Sequence, residues 1–243
     1  GKHVLSEEEC VYARDFADRL GVALTATARD EELHFQAHYD ATTALPNRRF
    51  FKDRLSQEIG RARRESRPIS LLFIDLDEFK KINDSVGHAG GDEVLEQASR
   101  RLQQCLRTED VVARFGGDEF AVLLPAIAAG ADAAKVAEKL ISNLSRPYVI
   151  DGREHYLSAS IGISIYPEDG ESAENLLRNA DFAMYRAKAE GRGQYAFYEE
   201  RLTAAALDRA ALELDLRHAI SNDELTLFYQ PQIDLRSGAI VGA

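Results

Sequence analysis

The run Ile69-Ser-Leu-Leu-Phe-Ile74 is apolar apart from one serine and stops directly on Asp75-Leu76-Asp77. Its length, with β-branched and aromatic members, predicts a strand buried on both faces, and a strand of that kind needs apolar layers above and below it. Amphipathic segments are present to supply them. Asn47 can cap a helix carrying Phe50, Phe51, Leu55, Ile59 and Ala62. A second helix, from about Asp92 to Leu106, lines up Leu95, Ala98, Leu102 and Cys105. Further helices are expected over 131–144 and from Ala173 to Glu190, the latter stopped by Gly191. Val111–Phe115 and Phe120–Leu124 bracket Gly116-Gly117-Asp118-Glu119, a hairpin signal, and Tyr156–Tyr166 alternates as another strand. Strands alternate with helices while one hairpin is antiparallel, which predicts an α+β fold with a mixed, largely antiparallel central sheet flanked by helices.

Ahead of that region, residues 6 to about 36 read as one long helix, opened by a capping box of Ser6 and Glu9. Cys10, Ala13, Phe16, Ala17, Leu20, Ala23 and Leu24 keep a helical period, whereas Thr27, Asp30, Glu31 and His34 continue it with polar groups. This pattern suits a connecting helix, and equally a terminal helix packed on its own domain. Gly1-Lys2-His3-Val4 opens no basic segment followed by an apolar run, so neither a signal peptide nor an anchor is expected. No stretch approaches the roughly 18 apolar residues of a membrane span. Cys10 and Cys105 form no CxxC pair, which argues against a thiolate zinc site and for a reducing compartment, the cytoplasm. With 30 basic against 41 acidic residues the net charge is −11. The average surface therefore repels polyanions, so a nucleic-acid groove is disfavoured and a small anionic substrate needs local cations or a metal ion.

The chemistry concentrates at two places. Asp75 and Asp77 close the apolar strand, and Asp118-Glu119 sits at the hairpin tip. Carboxylates at a strand end, joined by others from a neighbouring turn, form oxygen-ligand sites for Mg²⁺, which keeps waters and accepts phosphate oxygens. Two such ions serve phosphoryl transfer by neutralising charge at phosphorus and lowering the pKa of the attacking hydroxyl. Gly116 and Gly117 let the backbone take positive φ and approach a triphosphate closely. A bare Gly-Gly-Asp-Glu would be an ordinary turn. Here Lys80, Asn83 and Asp92 follow Asp75 at short intervals, a phosphate cation and two groups able to bind a base.

The run Asp75-Leu-Asp-Glu-Phe-Lys-Lys-Ile-Asn-Asp-Ser-Val-Gly-His-Ala-Gly-Gly-Asp92, followed by Arg114-Phe-Gly-Gly-Asp-Glu-Phe120, resembles the GGDEF domain of diguanylate cyclases. The resemblance reaches from Asp40 to about Tyr198 and includes Ala180-Asp-Phe-Ala-Met-Tyr-Arg-Ala-Lys-Ala-Glu-Gly-Arg192. It implies a fold like the palm of polymerases and nucleotidyl cyclases, and synthesis of cyclic di-GMP from two GTP with release of two pyrophosphates. It also implies two Mg²⁺ per GTP site, with Mn²⁺ able to stand in. Asp75, Asp118, Glu119 and the carbonyl of Leu76 would be the metal ligands, with Asp118, Glu119 and Lys80 the catalytic groups. Lys80, Lys188 and Arg192 would hold phosphates, helped by backbone around Glu78 and Phe79 and by Gly116 and Gly117. Asn83 and Asp92 would read guanine, whose N1–H and N2–H₂ donors a carboxylate accepts as a pair and adenine lacks. The proton of the 3′-hydroxyl would pass to Asp118 or to a bound water. Because one site holds one GTP, two half-sites must face each other in a two-fold homodimer.

Arg107-Thr-Glu-Asp110 stands where this family carries its inhibitory site for cyclic di-GMP, with Arg107 and Asp110 as the binding pair. Phe16–Leu24 resembles the closing helix of a GAF sensory domain, and Leu212–Ala243 the opening of an EAL phosphodiesterase domain that stops before its signature. The expected organisation is a connecting helix over 1–38, a GGDEF domain over 39–199, and a linker helix with a truncated EAL start over 200–243. Thr42 and Ala44 depart from the family's usual Leu and Gly but touch no expected ligand. A competing reading is a regulator that binds GTP or cyclic di-GMP without turnover and controls an adjacent EAL domain.

Overall fold

In the computed structural model, which describes residues 35–125, 130–199, 232–234 and 237–242, the elements run in this order. They are α1 (Arg48–Glu65), β1 (Ile69–Leu76), α2 (Phe79–Cys105), β2 (Val111–Gly116), β3 (Glu119–Leu124), α3 (Gly130–Leu144), β4 (Tyr148–Ile150), β5 (Arg153–His155), β6 (Ala159–Tyr166), α4 (Ala173–Ala189), β7 (Tyr195–Phe197), β8 (Gln232–Ile233) and β9 (Ile240–Gly242). The chain divides into two units, Gly1–Glu199 and Glu200–Ala243. In the first, five strands form one sheet in the order β2-β3-β1-β6-β7. β1 runs antiparallel to both neighbours, from Ser70↔Leu124 to Asp75↔Glu119 on one side and from Ile69↔Tyr166 to Leu76↔Ala159 on the other. β7 lies parallel to β6. This is the mixed, largely antiparallel sheet expected.

β1 is central because it is apolar on both faces, and its period of two sorts its side chains into two cores. Ile69, Leu71 and Phe73 pack with Phe51, Leu55, Ile59 and Ala62 of α1 and with Leu176, Leu177, Ala180 and Met184 of α4. Leu72, Ile74 and Leu76 pack with Val94, Leu95, Ala98 and Leu102 of α2 and with Ala133, Ala137, Leu140 and Leu144 of α3. Asn47 caps α1 as expected, its Oδ1 accepting from Phe50 N–H at 3.0 Å. Phe50 itself is half-buried, with its ring centroid 5.9 Å from that of Tyr39. On the same face of the sheet, β6 and α4 approach so closely at Gly162 that a Cβ there would lie 1.9 Å from the carbonyl oxygen of Ala180.

Four features depart from the sequence expectations. α2 starts at Phe79 rather than near Asp92, and it is broken at Gly87 (φ 75°, ψ 173°). Gly87, Gly90 and Gly91 interrupt the apolar period over that first stretch, which hides the helix from a periodicity argument. β6 begins at Ala159 rather than Tyr156, and Tyr148–Ile150 pairs with Arg153–His155 in a small hairpin. β7 spans three residues, too short to announce itself by alternation. The long N-terminal helix and the helix expected after residue 200 lie outside the described residues. In the second unit, β8 and β9 form an antiparallel pair, and Ser237 N–H donates to Asp234 Oδ1 at 3.0 Å in the turn between them. Among the described residues no helix is long and apolar enough to cross a membrane.

Candidate active site

The sheet register brings the two acidic segments together. Asp75 pairs with Glu119 across β1 and β3, and Leu76 N–H donates to the carbonyl of Asp118 at 3.2 Å. The hairpin that delivers Asp118 and Glu119 has a register shift between Arg114 and Gly116, and Gly116 and Gly117 take φ of 139° and 53°. A Cβ at either glycine would meet nothing within 4 Å, so backbone conformation, not crowding, demands glycine there. Arg114 fixes this turn: Nε and Nη2 donate to the carbonyl of Gly117 at 3.1 and 2.8 Å, and Nη1 to Asp40 Oδ1 at 2.9 Å. Burial works to raise the Asp40 carboxyl, yet hydrogen bonds from Thr43 and Arg114 and the Arg114 charge hold it below its ordinary range.

Around that register the charges are crowded. Asp75 is 7% exposed, and its Oδ2 lies 2.6 Å from Nζ of Lys188, in the last turn of α4. Burial raises the Asp75 carboxyl, Asp118 and Asp77 add to the rise, and Lys188 offsets part of it. Glu119 is raised first by burial, then by the charges of Asp181, Asp75 and Asp118. One ammonium therefore faces several carboxylates, and further positive charge would stabilise the group. Among the described residues no three His, Cys, Asp or Glu side chains gather into a metal cluster of their own. Mg²⁺ does not require one, since it takes one or two carboxylates, keeps waters and accepts substrate phosphates. The hard-oxygen donor set, with Lys188 standing in as a cation, fits that ion.

The remaining groups expected from sequence fall on α2, in the turn that follows it and just beyond α4. Lys80 is exposed in the first turn of α2. Glu78 gives that helix no side-chain cap, so N–H groups of its first turn are available to an anion. Asn83 and Asp92 lie on either side of the Gly87 break, and Gly91 approaches Asn83 so closely that a Cβ there would lie 1.9 Å from its Oδ1. Arg192 is exposed just beyond α4, with φ 60°. Arg107 and Asp110 share the turn between α2 and β2: Asp110 Oδ2 accepts from Arg107 N–H at 2.9 Å, leaving the Arg107 side chain exposed. Burial is the leading cause of the rise in the Asp110 carboxyl.

One further carboxylate escaped the sequence reading. Asp181 precedes Lys188 by seven residues on one face of α4, a spacing visible in the sequence, and its charge acts on Glu119. Asp77 reads as a partner of Asp75 in the acidic cluster, but it turns the other way. It accepts from Ser158 Oγ, Ser160 Oγ and the N–H of Gly193. No local pattern reveals those partners, which come from β6, the residues before it and the turn after α4.

A mixed sheet flanked by helices, with acidic groups at the ends of adjacent strands and a lysine from the helix packed behind them, defines a palm-like nucleotidyl cyclase fold. Residues 37–194 match the family described as "Diguanylate cyclase, GGDEF domain", and the chain belongs to that family. It is 44% identical over 225 residues to the bifunctional diguanylate cyclase/cyclic di-GMP phosphodiesterase MucR of Pseudomonas aeruginosa, covering 92% of this chain and 33% of that protein. The structure of an N-terminally shortened TpbB from Pseudomonas aeruginosa comprising only the GGDEF domain superposes with a TM-score of 0.68 at 44% identity, over 70% of this chain and 99% of that one. The coiled coil and GGDEF domain of DgcB from Caulobacter crescentus, in complex with c-di-GMP, gives a TM-score of 0.67 at 28% identity, over 77% and 98% of the two chains. The chain spans between 26% and 33% of the length of the first curated relatives it matches.

Proposed function

We propose that this chain condenses two GTP into cyclic di-GMP with release of two pyrophosphates, across a two-fold homodimer. The reading rests on one observation above all: Asp75 and Glu119 face each other on adjacent strands, with Lys188 Nζ 2.6 Å from Asp75. Asp75, the carbonyl of Leu76, Asp118 and Glu119 would hold Mg²⁺. When bound, that ion neutralises charge building at the reacting phosphorus and lowers the pKa of the attacking hydroxyl.

The chain's own residues do the rest. Lys80, Lys188 and Arg192 grip the phosphates, with the open first turn of α2 adding backbone N–H groups and Gly116 and Gly117 leaving the turn clear of side chains. Asn83 and Asp92 accept the guanine donors. ATP would leave that carboxylate unpaired, so discrimination follows from the cost of an unsatisfied polar group. In each half-reaction the 3′-oxygen of one nucleotide bonds to the α-phosphorus held by the partner half-site. The bond from that phosphorus to the β-bridging oxygen breaks, and pyrophosphate leaves with the electron pair. The hydroxyl proton passes to Asp118 or to a bound water. Arg107 and Asp110 form a second, inhibitory site for the product; product binding by a domain of this kind is supported by DgcB, which was solved in complex with c-di-GMP. The segment before residue 39 connects an input domain to this one and sets how often two half-sites meet, while the segment after 199 leads into an EAL domain.

The test is turnover. Chain incubated with GTP and Mg²⁺ is expected to yield cyclic di-GMP and two pyrophosphates per product, at a rate rising more steeply than linearly with protein concentration. Asp118→Ala is expected to reduce that rate by about 10²-fold or more. Tight GTP binding without pyrophosphate at any protein concentration would replace this reading with that of a non-catalytic regulator. Absence of binding would remove nucleotides from the account altogether.

A further inference from the structure

Asp77 is a buried carboxylate for which the proposed reaction has no use, only 3% exposed and two residues beyond Asp75. Its oxygens are fully engaged by the chain. Ser158 Oγ donates to Oδ2 at 2.6 Å, Ser160 Oγ to Oδ1 at 2.8 Å, and the N–H of Gly193 to Oδ2 at 3.1 Å. Its own N–H donates to the carbonyl of Ser158 at 2.9 Å. A carboxylate taken out of water needs such donors. A metal-ligand role would strip them away, so Asp77 is not a ligand despite its place in the acidic run.

Where these bonds lead is the informative part. Gly193 closes the turn after α4, in which Gly191, Arg192 and Gly193 take φ of 134°, 60° and 60°. Arg192 is thus held in the left-handed region, which a residue with a Cβ adopts only when its surroundings impose it. Two sets of contacts impose it. From α4, Arg192 N–H and Gln194 Nε2 both donate to the carbonyl of Ala187 at 3.1 Å. From just beyond β1, Asp77 holds the next amide. The strand end that presents Asp75 therefore also fixes the backbone that carries Arg192, four residues after the Lys188 that touches Asp75.

We propose that Asp77 is a positioning residue that ties the turn carrying Arg192 to the end of β1, so that the phosphate-gripping cations and the acidic groups keep one spacing. This inference rests on the nucleotide reading given above and adds a residue to it. It makes Asp77 act through Arg192, which a general role in folding would not.

The experiment measures binding of a non-hydrolysable GTP analogue with Mg²⁺ to the full chain by calorimetry, for wild type, Asp77→Asn, Arg192→Ala and the double variant. Asp77→Asn is expected to weaken binding by about tenfold, the scale of one lost charge-assisted hydrogen bond. The double variant is expected to bind no more weakly than Arg192→Ala alone, because coupled residues are not additive. Ser158→Ala removes one donor while leaving the carboxylate in place and is expected to show a loss of about threefold with the same non-additivity. It carries the test if Asp77→Asn does not fold. Wild-type binding that is unchanged in these variants, or losses that add to that of Arg192→Ala, would overturn this proposal and leave the nucleotide reading standing. Failure of the wild type to bind the analogue would overturn both.

Discussion

Nζ of Lys188 in the last turn of α4 and Oδ2 of Asp75 near the end of β1 form an ion pair of 2.6 Å, with side chains 27% and 10% exposed. The pair joins the phosphate side of the site to its acidic side before any ligand arrives. Removing the ammonium leaves Asp75 and Glu119, both already raised by burial and by neighbouring carboxylates, without their offset. Lys188→Ala is expected to lose about 1–3 kcal/mol of stability in chelator, as for an uncompensated, mostly buried charge. Most of that loss should return in millimolar Mg²⁺. Urea unfolding with and without the ion measures both numbers, and an equal loss in the two conditions would contradict the proposed cation site.

Gly91→Ala tests the guanine reading without touching an expected ligand. Its Cβ would lie 1.9 Å from Asn83 Oδ1 and 3.3 Å from Cζ of Phe79. The Asn83 amide is the tip of a mobile side chain, so it can swing aside and the fold should persist. The amide would then lose its place beside Gly91. GTP affinity is expected to drop by about tenfold, with ATP affinity little changed, because only the guanine-specific hydrogen bonds are lost. Competition binding with both nucleotides reads the ratio.

Gly162→Ala strikes the fold instead. The new methyl group would sit 1.9 Å from the carbonyl oxygen of Ala180 and 2.2 Å from the backbone nitrogen of Met184. Both are helix backbone, which cannot rotate away, so α4 must lift from β6. A loss of about 3 kcal/mol or more is expected, at the upper end for an overpacked core. A fall in the thermal midpoint, accompanied by weaker GTP binding as Lys188 and Arg192 move with the helix, would verify it.

Tyr148 offers a pH signature away from the site. Its side chain is fully buried, Arg101 lies over the ring at 3.9 Å from the centroid, and the hydroxyl has no hydrogen-bond partner among the described residues. Burial pushes the phenol up to about 12, with the Arg101 charge working against the rise. A group whose folded pKa is raised stabilises fully below its unfolded pKa, near 10 for a phenol, and that contribution fades as pH rises through the folded value. Stability should therefore fall by roughly 2–3 kcal/mol between pH 10 and 12 on account of this residue. Tyr148→Phe should flatten that limb and cost little at pH 7, since it removes a hydroxyl that has no partner. Denaturant midpoints across alkaline pH give the comparison.

The elements legible in the sequence were those whose signal is local. Ile69–Ile74 declares a buried strand because every position is apolar or small, and Asn47 declares a helix start because a cap and the amide that donates to it lie three residues apart. Gly116 and Gly117 declare a turn by the φ values only glycine takes easily. α2 over 79–91 was not legible, because Gly87, Gly90 and Gly91 break its period and the helix there is held by packing of Phe79 and Ile82 into the core. β7, three residues long, exists only because β6 offers it an edge.

Sequence alone determined which residues carry charge, where the apolar runs begin and end, and hence that carboxylates close a buried strand and a glycine turn. Tertiary structure decided which of those carboxylates belong to one site. It set Asp75 opposite Glu119, brought Lys188 to them from the far end of the domain, and turned Asp77 away toward Ser158, Ser160 and Gly193. The reason is that a charge at a given chain position has no preference for one distant partner until strand register and helix packing fix the distances. Over such separations Coulomb and hydrogen-bond energies change from negligible to dominant within a few ångströms.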